Sequence, residues 1–281
     1  MKNSAFSVVM SVYKNDHPEY FKQAVDSVLN QSLAPSEIII VVDGDVTKAI
    51  RSVLSSFRTL KQVKIHQLQK NSGLGLARDY GIRKSSSSIV AVMDSDDISL
   101  PDRFQTQLEF LRNQNAAMVG GYIEEFMLIP GDCGLIRKVP LNHKQIITVG
   151  RWRQSMNHVT IMFKKSIYFK SGGYRDVRGI EDFDLFYRIF LTGAKVCNVN
   201  QVLVNVRFNE GTVLRRRGWQ YYKAMVGIYT GMVKTGYISM FRFMFLSFVQ
   251  FFVRLLPPIF LGFAYKLTRD RAGIHIIAKT S

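Results

Sequence analysis

The run Glu37-Ile38-Ile39-Ile40-Val41-Val42, closed by Asp43-Gly44, constrains this chain more than any other segment. Five consecutive β-branched residues leave no polar side to turn toward water, so the strand they form has to be covered on both faces. Phe6 to Val12 and Ile89 to Met93 read the same way, and Val63 to Leu68 is a further strand. Between them the apolar period becomes helical. Pro18 opens a helix to Gln31 with Phe21, Val25, Val28 and Leu29 on one stripe, and Thr47 to Phe57 and Leu74 to Lys84 follow. Strands and helices alternating at this spacing predict an α/β fold: a mostly parallel sheet with helices on both faces.

Beyond Pro101 a helix is expected to about Asn113, a return to the sheet at Met118 to Ile123, a helix at Ile180 to Leu191, and a strand pair within Val196 to Val206. Residues 124–160 are mixed in pattern. No internal repeat and no flexible linker is visible, so one α/β domain with a C-terminal appendage is the simplest organisation. A chain of 281 residues buries a core without disulfides, and Cys133 and Cys197 stand in no metal-ligand spacing, which fits a reducing compartment.

Charge divides the chain. The first 130 residues carry 14 Lys+Arg and 14 Asp+Glu; the rest carry 24 and 7, and therefore the whole net charge of +17. The surplus calls for an anionic partner: nucleic acid, membrane lipid or a phosphorylated substrate. The apolar stretch Tyr237 to Tyr265 is interrupted by Arg242, Gln250 and Arg254 and broken at Pro257-Pro258, so no 18-residue uncharged run spans a bilayer, and the N-terminus shows no signal-peptide pattern. On a helical wheel Phe241, Met244, Phe245, Phe248, Phe251, Phe252 and Leu255 share one face. Ser239, Arg242, Ser247, Gln250 and Arg254 share another, spoiled by Phe243 and Leu246. Such a helix either docks its Phe face on the core or lies at a headgroup boundary. The second reading is favoured by Lys266, Arg269 and Arg271 beyond the prolines.

In open α/β sheets ligands bind beyond the carboxyl ends of the strands. Asp43 follows the second strand, and Asp94, Asp96 and Asp97 follow the strand ending at Met93. A helix cap explains one of these acids; three in four residues suit Mg²⁺ or Mn²⁺, which binds through one or two carboxylates plus substrate phosphates. Gly73-Leu74-Gly75-Leu76-Ala77-Arg78 fails as a dinucleotide fingerprint because Arg78 holds the third glycine position. Glu181-Asp182 at a helix start is either a dipole-favoured first turn or a general base. Arg215-Arg216-Arg217 is a solvated run, a nucleic-acid patch or a diphosphate clamp. His17, His66, His143, His158 and His275 show no paired metal spacing, and no nucleophile elbow is present.

Together these residues resemble a family 2 glycosyltransferase of GT-A fold, of the bacterial polysaccharide or O-antigen type, over about residues 5–210. The likeness runs through Val8-Val9-Met10-Ser11-Val12-Tyr13, Ile38 to Asp43, Asn71-Ser72-Gly73 with Ala77-Arg78-Asp79 and Gly81, Asp94-Ser95-Asp96-Asp97 with Pro101 and Arg103, His158-Val159-Thr160, Gly172-Gly173-Tyr174 and Glu181-Asp182. Asp79 replaces the more usual Asn, and Asp43-Gly44-Asp45 leaves two acids for the uridine, of which strand register favours Asp43. The resemblance implies a Rossmann-like catalytic domain at 1–210, divided into a nucleotide and metal half (1–123) and an acceptor half (124–210), and a basic, aromatic-rich, membrane-associating region at 211–281.

It further implies inverting, metal-dependent transfer of a hexose from a UDP-sugar to an undecaprenyl-diphosphate-linked saccharide, at the cytoplasmic face of the bacterial inner membrane. In that scheme Val12, Tyr13, Asp43, Asn71, Gly73, Arg78, Asp94, Ser95 and Arg215 hold the donor, and Asp96 with Asp94 the Mn²⁺ or Mg²⁺. Asp182, with Glu181 beside it, acts as base, and His158, Gly173, Tyr174 and Glu181 face the acceptor. No nucleic acid is expected. The alternatives are a nucleotidyltransferase making a nucleotide-sugar, which would want a glycine-rich N-terminal segment, and a basic nucleic-acid-binding protein, which would leave the strand-end acids unexplained.

Overall fold

The computed structural model describes residues 5–177, 179–208, 218–255 and 270–271; Arg215–Arg217, Pro257, Pro258, Lys266 and Arg269 lie outside them, as does the side chain of Arg271. Four strands, β1 (Ser7–Val12), β2 (Glu37–Val42), β3 (Val63–Gln67) and β4 (Ile89–Met93), lie parallel in the order β4-β1-β2-β3. Every residue of β1 and β2 is buried, as their unbroken apolar runs require. Side chains alternate between two cores. Val8, Met10, Ile38 and Ile40 pack with α1 (Pro18–Leu29), α2 (Lys48–Phe57) and α4 (Arg103–Asn113); Val9, Ile39 and Val41 pack with α3 (Leu74–Lys84) and α7 (Glu181–Leu191).

Past β4 the sheet turns antiparallel through β8 (Met162–Lys164), β6 (Met118–Phe126), β7 (Leu135–Arg137) and β10 (Asp270–Arg271). The expected strand pair at 196–206 is one strand, β9 (Val196–Arg207), parallel to β6 and touching β5 (Ile98–Ser99) at its end. Its polar interruption forms no turn: Gly120 faces Asn198 while Tyr122 faces Val202, so the extra residues of β9 are taken up as an irregularity. Gly121 permits this approach, since a Cβ there would lie 2.4 Å from Leu203 Cδ1. The segment of mixed pattern holds α5 (His143–Gly150) and leads to a 3-10 turn at His158–Thr160; α6 (Lys165–Lys170) follows β8.

Two helices close the described fold. α8 (Gly218–Lys234) buries Met225, Ile228, Tyr229 and Met232, a helical stripe, against the second core, where Tyr229 meets Phe183 edge-on at 6.3 Å. α9 (Met240–Leu255) buries Leu246 there and packs Phe243 against it. The two residues that spoil the polar face are thus its anchors, and the Phe face is turned outward. Among the described residues no helix is long and apolar enough to cross a membrane.

Candidate active site

The carboxyl ends of the parallel strands and the start of α7 meet at one cleft. Asp43, just past β2, is buried and holds the neighbouring turn: its carboxylate accepts from Ser72 N at 2.7 Å, Gly73 N at 3.0 Å and Asn71 Nδ2 at 3.1 Å. Asp45 points to solvent and lies 3.8 Å from Arg51. Gly73 adopts φ +92° at the start of α3, a conformation that disfavours any side chain. Two residues later, Gly75 lets α3 approach Glu181, whose Cβ would lie 3.2 Å from a Cβ added there. Ser72, Gly73, Gly75, Arg175, Asp176 and Glu181 are among the residues lining a small cleft at this junction.

Arg78, on the inner face of α3, is buried and ion-paired with Asp94. Burial disfavours its charge, but Asp94, Tyr174, Glu181 and Asp182 more than offset this and hold its guanidinium above its usual value. Its Nε and Glu181 Oε2 are buried polar atoms with no hydrogen-bond partner among the described residues, a costly condition. Burial, reinforced by Asp182, raises the Glu181 carboxyl. Asp182 is half-exposed; it accepts from Gln154 Nε2 and, at 2.7 Å, from Phe183 N.

The acidic motif is gripped from two sides. Asp94, Ser95 and Asp96 are half-exposed, whereas Asp97 is buried and accepts from Arg207 N at 2.9 Å. Burial first, then the charges of Asp96 and Asp94, raises the Asp97 carboxyl well above its usual value. Arg207 also donates from Nε to Asp96 O at 3.2 Å and stacks 3.7 Å from the Tyr20 ring. Tyr13 N and Ser95 Oγ both donate to Asp16 Oδ2 at 3.0 Å, joining the end of β1 to the motif, while Val12 O accepts from Asp43 N at 2.8 Å. Two accessible carboxylates at one strand end form a hard-oxygen donor set that fits Mg²⁺ or Mn²⁺ once phosphate oxygens complete the shell. Among the described residues no group of three or more His, Cys, Asp or Glu forms a self-sufficient metal cage.

On the other wall His158 Nε2 lies 2.5 Å from Tyr174 Oη. Burial, with the charge of Arg78, pushes the imidazole well below its usual value, so it is neutral there. Gly173, at φ +67°, brings the chain against Asp79 and Tyr168, with Asp79 Oδ1 only 2.8 Å from an added Cβ. The Asp79 departure is structural: its carboxylate accepts from Tyr168 Oη and Arg83 Nε, both at 2.6 Å. Behind both walls lies Arg103, fully buried, whose Nη2 donates to Val92 O and Val159 O, each at 2.8 Å. Burial pushes its pKa down to about 9.

Of the sequence-predicted site residues, Gly73 and Glu181 line this cleft, Asp43 and Asn71 hold the turn at its edge, and Arg78 lies within electrostatic reach of Asp94, Tyr174, Glu181 and Asp182; Arg215 lies outside the described residues. Sequence reasoning missed Asp16, Gln154 and Arg207. Asp16 carried a usable signal, an acid three residues past Tyr13 in a turn; the other two have no local signature.

Residues 7–171 match the model of Glycosyl transferase family 2. The chain is 36% identical over 262 residues, 93% of its length and 95% of the relative's, to an Escherichia coli UDP-Gal:alpha-D-GlcNAc-diphosphoundecaprenol beta-1,3-galactosyltransferase. It is 32% identical over 95% of its length to the whole of the amylovoran biosynthesis glycosyltransferase AmsE of Erwinia amylovora. Among solved structures it resembles S. aureus TarS 1-349 in complex with UDP-GlcNAc, at TM-score 0.62 and 17% identity, over 82% of this chain and 66% of that one. It also resembles the mannosyltransferase PcManGT of Pyrobaculum calidifontis in complex with GDP-Man and Mn²⁺, at TM-score 0.59 and 14% identity, over 82% and 64%. The fold is GT-A.

Proposed function

This chain belongs to glycosyl transferase family 2, and on that premise we propose that it transfers a hexose from a UDP-sugar, with inversion, to a saccharide carried on undecaprenyl diphosphate during surface polysaccharide assembly. The observation that carries this reading is the near end-to-end likeness to the E. coli galactosyltransferase, which makes UDP-galactose the first donor to test. The rival readings, a nucleotidyltransferase and a nucleic-acid-binding protein, lose their support with the family assignment.

Asp182 is the base. Its half-exposed carboxylate takes the proton of the acceptor hydroxyl, whose oxygen attacks the anomeric carbon on the face opposite the diphosphate. The bond from that carbon to the diphosphate oxygen breaks, its electron pair leaves with UDP, and an α-linked donor yields a β-glycoside. Gln154 fixes the Asp182 carboxylate, and Glu181, buried beside it, faces the acceptor together with His158, Gly173 and Tyr174. Asp43, Asn71 and Gly73 form the turn that receives the nucleotide, with Val12, Tyr13 and Ser95 beside it and Arg78 orienting the donor beside Asp94. Asp96, with Asp94, would hold Mg²⁺ or Mn²⁺, which when bound offsets the charge of the departing diphosphate. Arg215 is assigned to the same diphosphate.

The test is a panel of nucleotide-sugars offered with a GlcNAc-diphospho-lipid, following nucleotide release and the anomeric configuration of the product. UDP-galactose with Mn²⁺ is expected to give a β-linked disaccharide, and chelation to abolish it. An α-linked product, or no release from any UDP-sugar, defeats this reading. The enzyme is placed at the cytoplasmic face of the inner membrane, where such an acceptor is presented.

A further inference from the structure

α9 turns its bulkiest residues to water. Phe241 is 76% exposed and Phe248 63%, and Met244, Phe245, Phe251 and Phe252 are exposed beside them. A continuous apolar face of this kind on a soluble surface marks an interaction site. Its rim is aromatic and cationic. Trp152, 43% exposed, meets Phe245 edge-on at 6.1 Å and carries Arg242 stacked 4.4 Å from its ring. Trp219, 54% exposed, stacks on Tyr222 at 5.1 Å, which in turn touches Phe251 at 5.7 Å. Arg254 lies 4.5 Å over Tyr221, and Lys223 lies 5.6 Å over Trp219. Residues 218–255 include Lys223, Lys234, Arg242 and Arg254 and no acid, and the adjoining loop adds Arg151 and Arg153.

We propose that this face seats in an anionic phospholipid bilayer, α9 lying in the plane of the headgroups with Trp152 and Trp219 at the interface. A broad apolar face ringed by cations and tryptophans matches the boundary between acyl chains and anionic headgroups. A protein partner would have to supply acids around an aromatic groove, and a second copy would bring one basic rim against another. The orientation also serves the chemistry. Trp152 is two residues from Gln154, whose amide holds Asp182, so the loop that rests on α9 is the loop that positions the base. Docking therefore sets the acceptor wall of the cleft toward the membrane. Only this last step rests on the lipid-linked acceptor of the proposed function.

The chain's two tryptophans both stand at this rim, so intrinsic fluorescence reports docking directly. The full chain is to be mixed with vesicles of phosphatidylglycerol and phosphatidylethanolamine, and separately with pure phosphatidylcholine. Wild type is expected to co-sediment with the anionic vesicles with a blue-shifted emission, and weakly with the neutral ones. The double variant Phe241→Asp, Phe248→Asp is expected to bind anionic vesicles at least ~10-fold more weakly. Its melting temperature and its transfer to a short-chain, water-soluble acceptor stay unchanged, while transfer to a vesicle-embedded acceptor falls. Equal vesicle binding by variant and wild type overturns the proposal. So does a lipid-independent dimer that the variant dissociates with vesicle binding intact, because the face is then a subunit interface. If no lipid-diphosphate acceptor is used at all but vesicle binding still depends on Phe241 and Phe248, the bilayer surface stands and the acceptor reading falls.

Discussion

In β1 and β2, at the centre of the parallel half of the sheet, the Val, Ile and Met side chains are all buried and carboxylates stand at the strand ends. In α9 the order is inverted: six Phe and Met side chains of the apolar face stand in water while Phe243 and Leu246 secure the helix from the side that carries its arginines. The first region spends its apolar residues on holding a site, the second on forming a surface. The same residue type therefore has opposite consequences in the two places, and composition alone does not separate them.

The largest effect that would break this contrast is at the site. Asp182→Asn is expected to lower kcat by roughly 10²–10⁴-fold while the rise in melting temperature caused by UDP survives, because the amide keeps the shape but takes no proton. A variant with normal turnover moves the base to Glu181. Next, Phe21→Ala in the first core is expected to cost about 3–5 kcal/mol in urea unfolding, because Phe21 is fully buried. A small loss there would mean that α1 contributes little to the core.

Acid titration probes the burial of His158. Its imidazole is held below the reference value of 6.5, so on acidification the unfolded chain takes up a proton that the native state refuses. Stability from this group is complete above pH 6.5 and is lost as the pH falls below it. Glu37 adds a second loss at lower pH. Burial opposes its charge, but Lys64, Ser7 and Ser86 more than offset this and hold its carboxyl down at about 2 against a reference of 4.5, so its contribution fades between those values. Melting temperatures of wild type and His158→Gln are expected to converge as the pH drops from 6.5 toward 5, and curves that stay parallel refute the buried neutral imidazole. The smallest effect belongs to α9: Phe248→Ala is expected to change stability by less than about 0.5 kcal/mol, as for an exposed side chain.

The parallel strands were legible because runs such as Ile38–Val42 admit only one environment, and the acids after Val42 and Met93 follow from strand register. The α9 periodicity was equally clear, but a helical wheel shows which residues share a face and not which face turns inward; that depends on what α8 and α7 present. The α8 stripe of Met225, Ile228, Tyr229 and Met232 is masked in the sequence by Gly227 and Gly231 and by aromatic residues on the other faces. The polar stretch in β9 reads as a turn, yet the glycines of β6 let it continue as strand. Gln154 and Arg207 were out of reach for a simpler reason: each acts on a residue more than 25 positions away, brought near only by the packing of α7 and β9.

Arg103 ties a carbonyl of the strand that ends at the acidic motif to a carbonyl beside the acceptor turn, from behind the cleft. The interval between the acidic motif and the turn at His158–Thr160 is therefore gauged by a side chain that lies behind both. The loops in front of the cleft can differ in sequence without altering the spacing that Arg103 holds from behind.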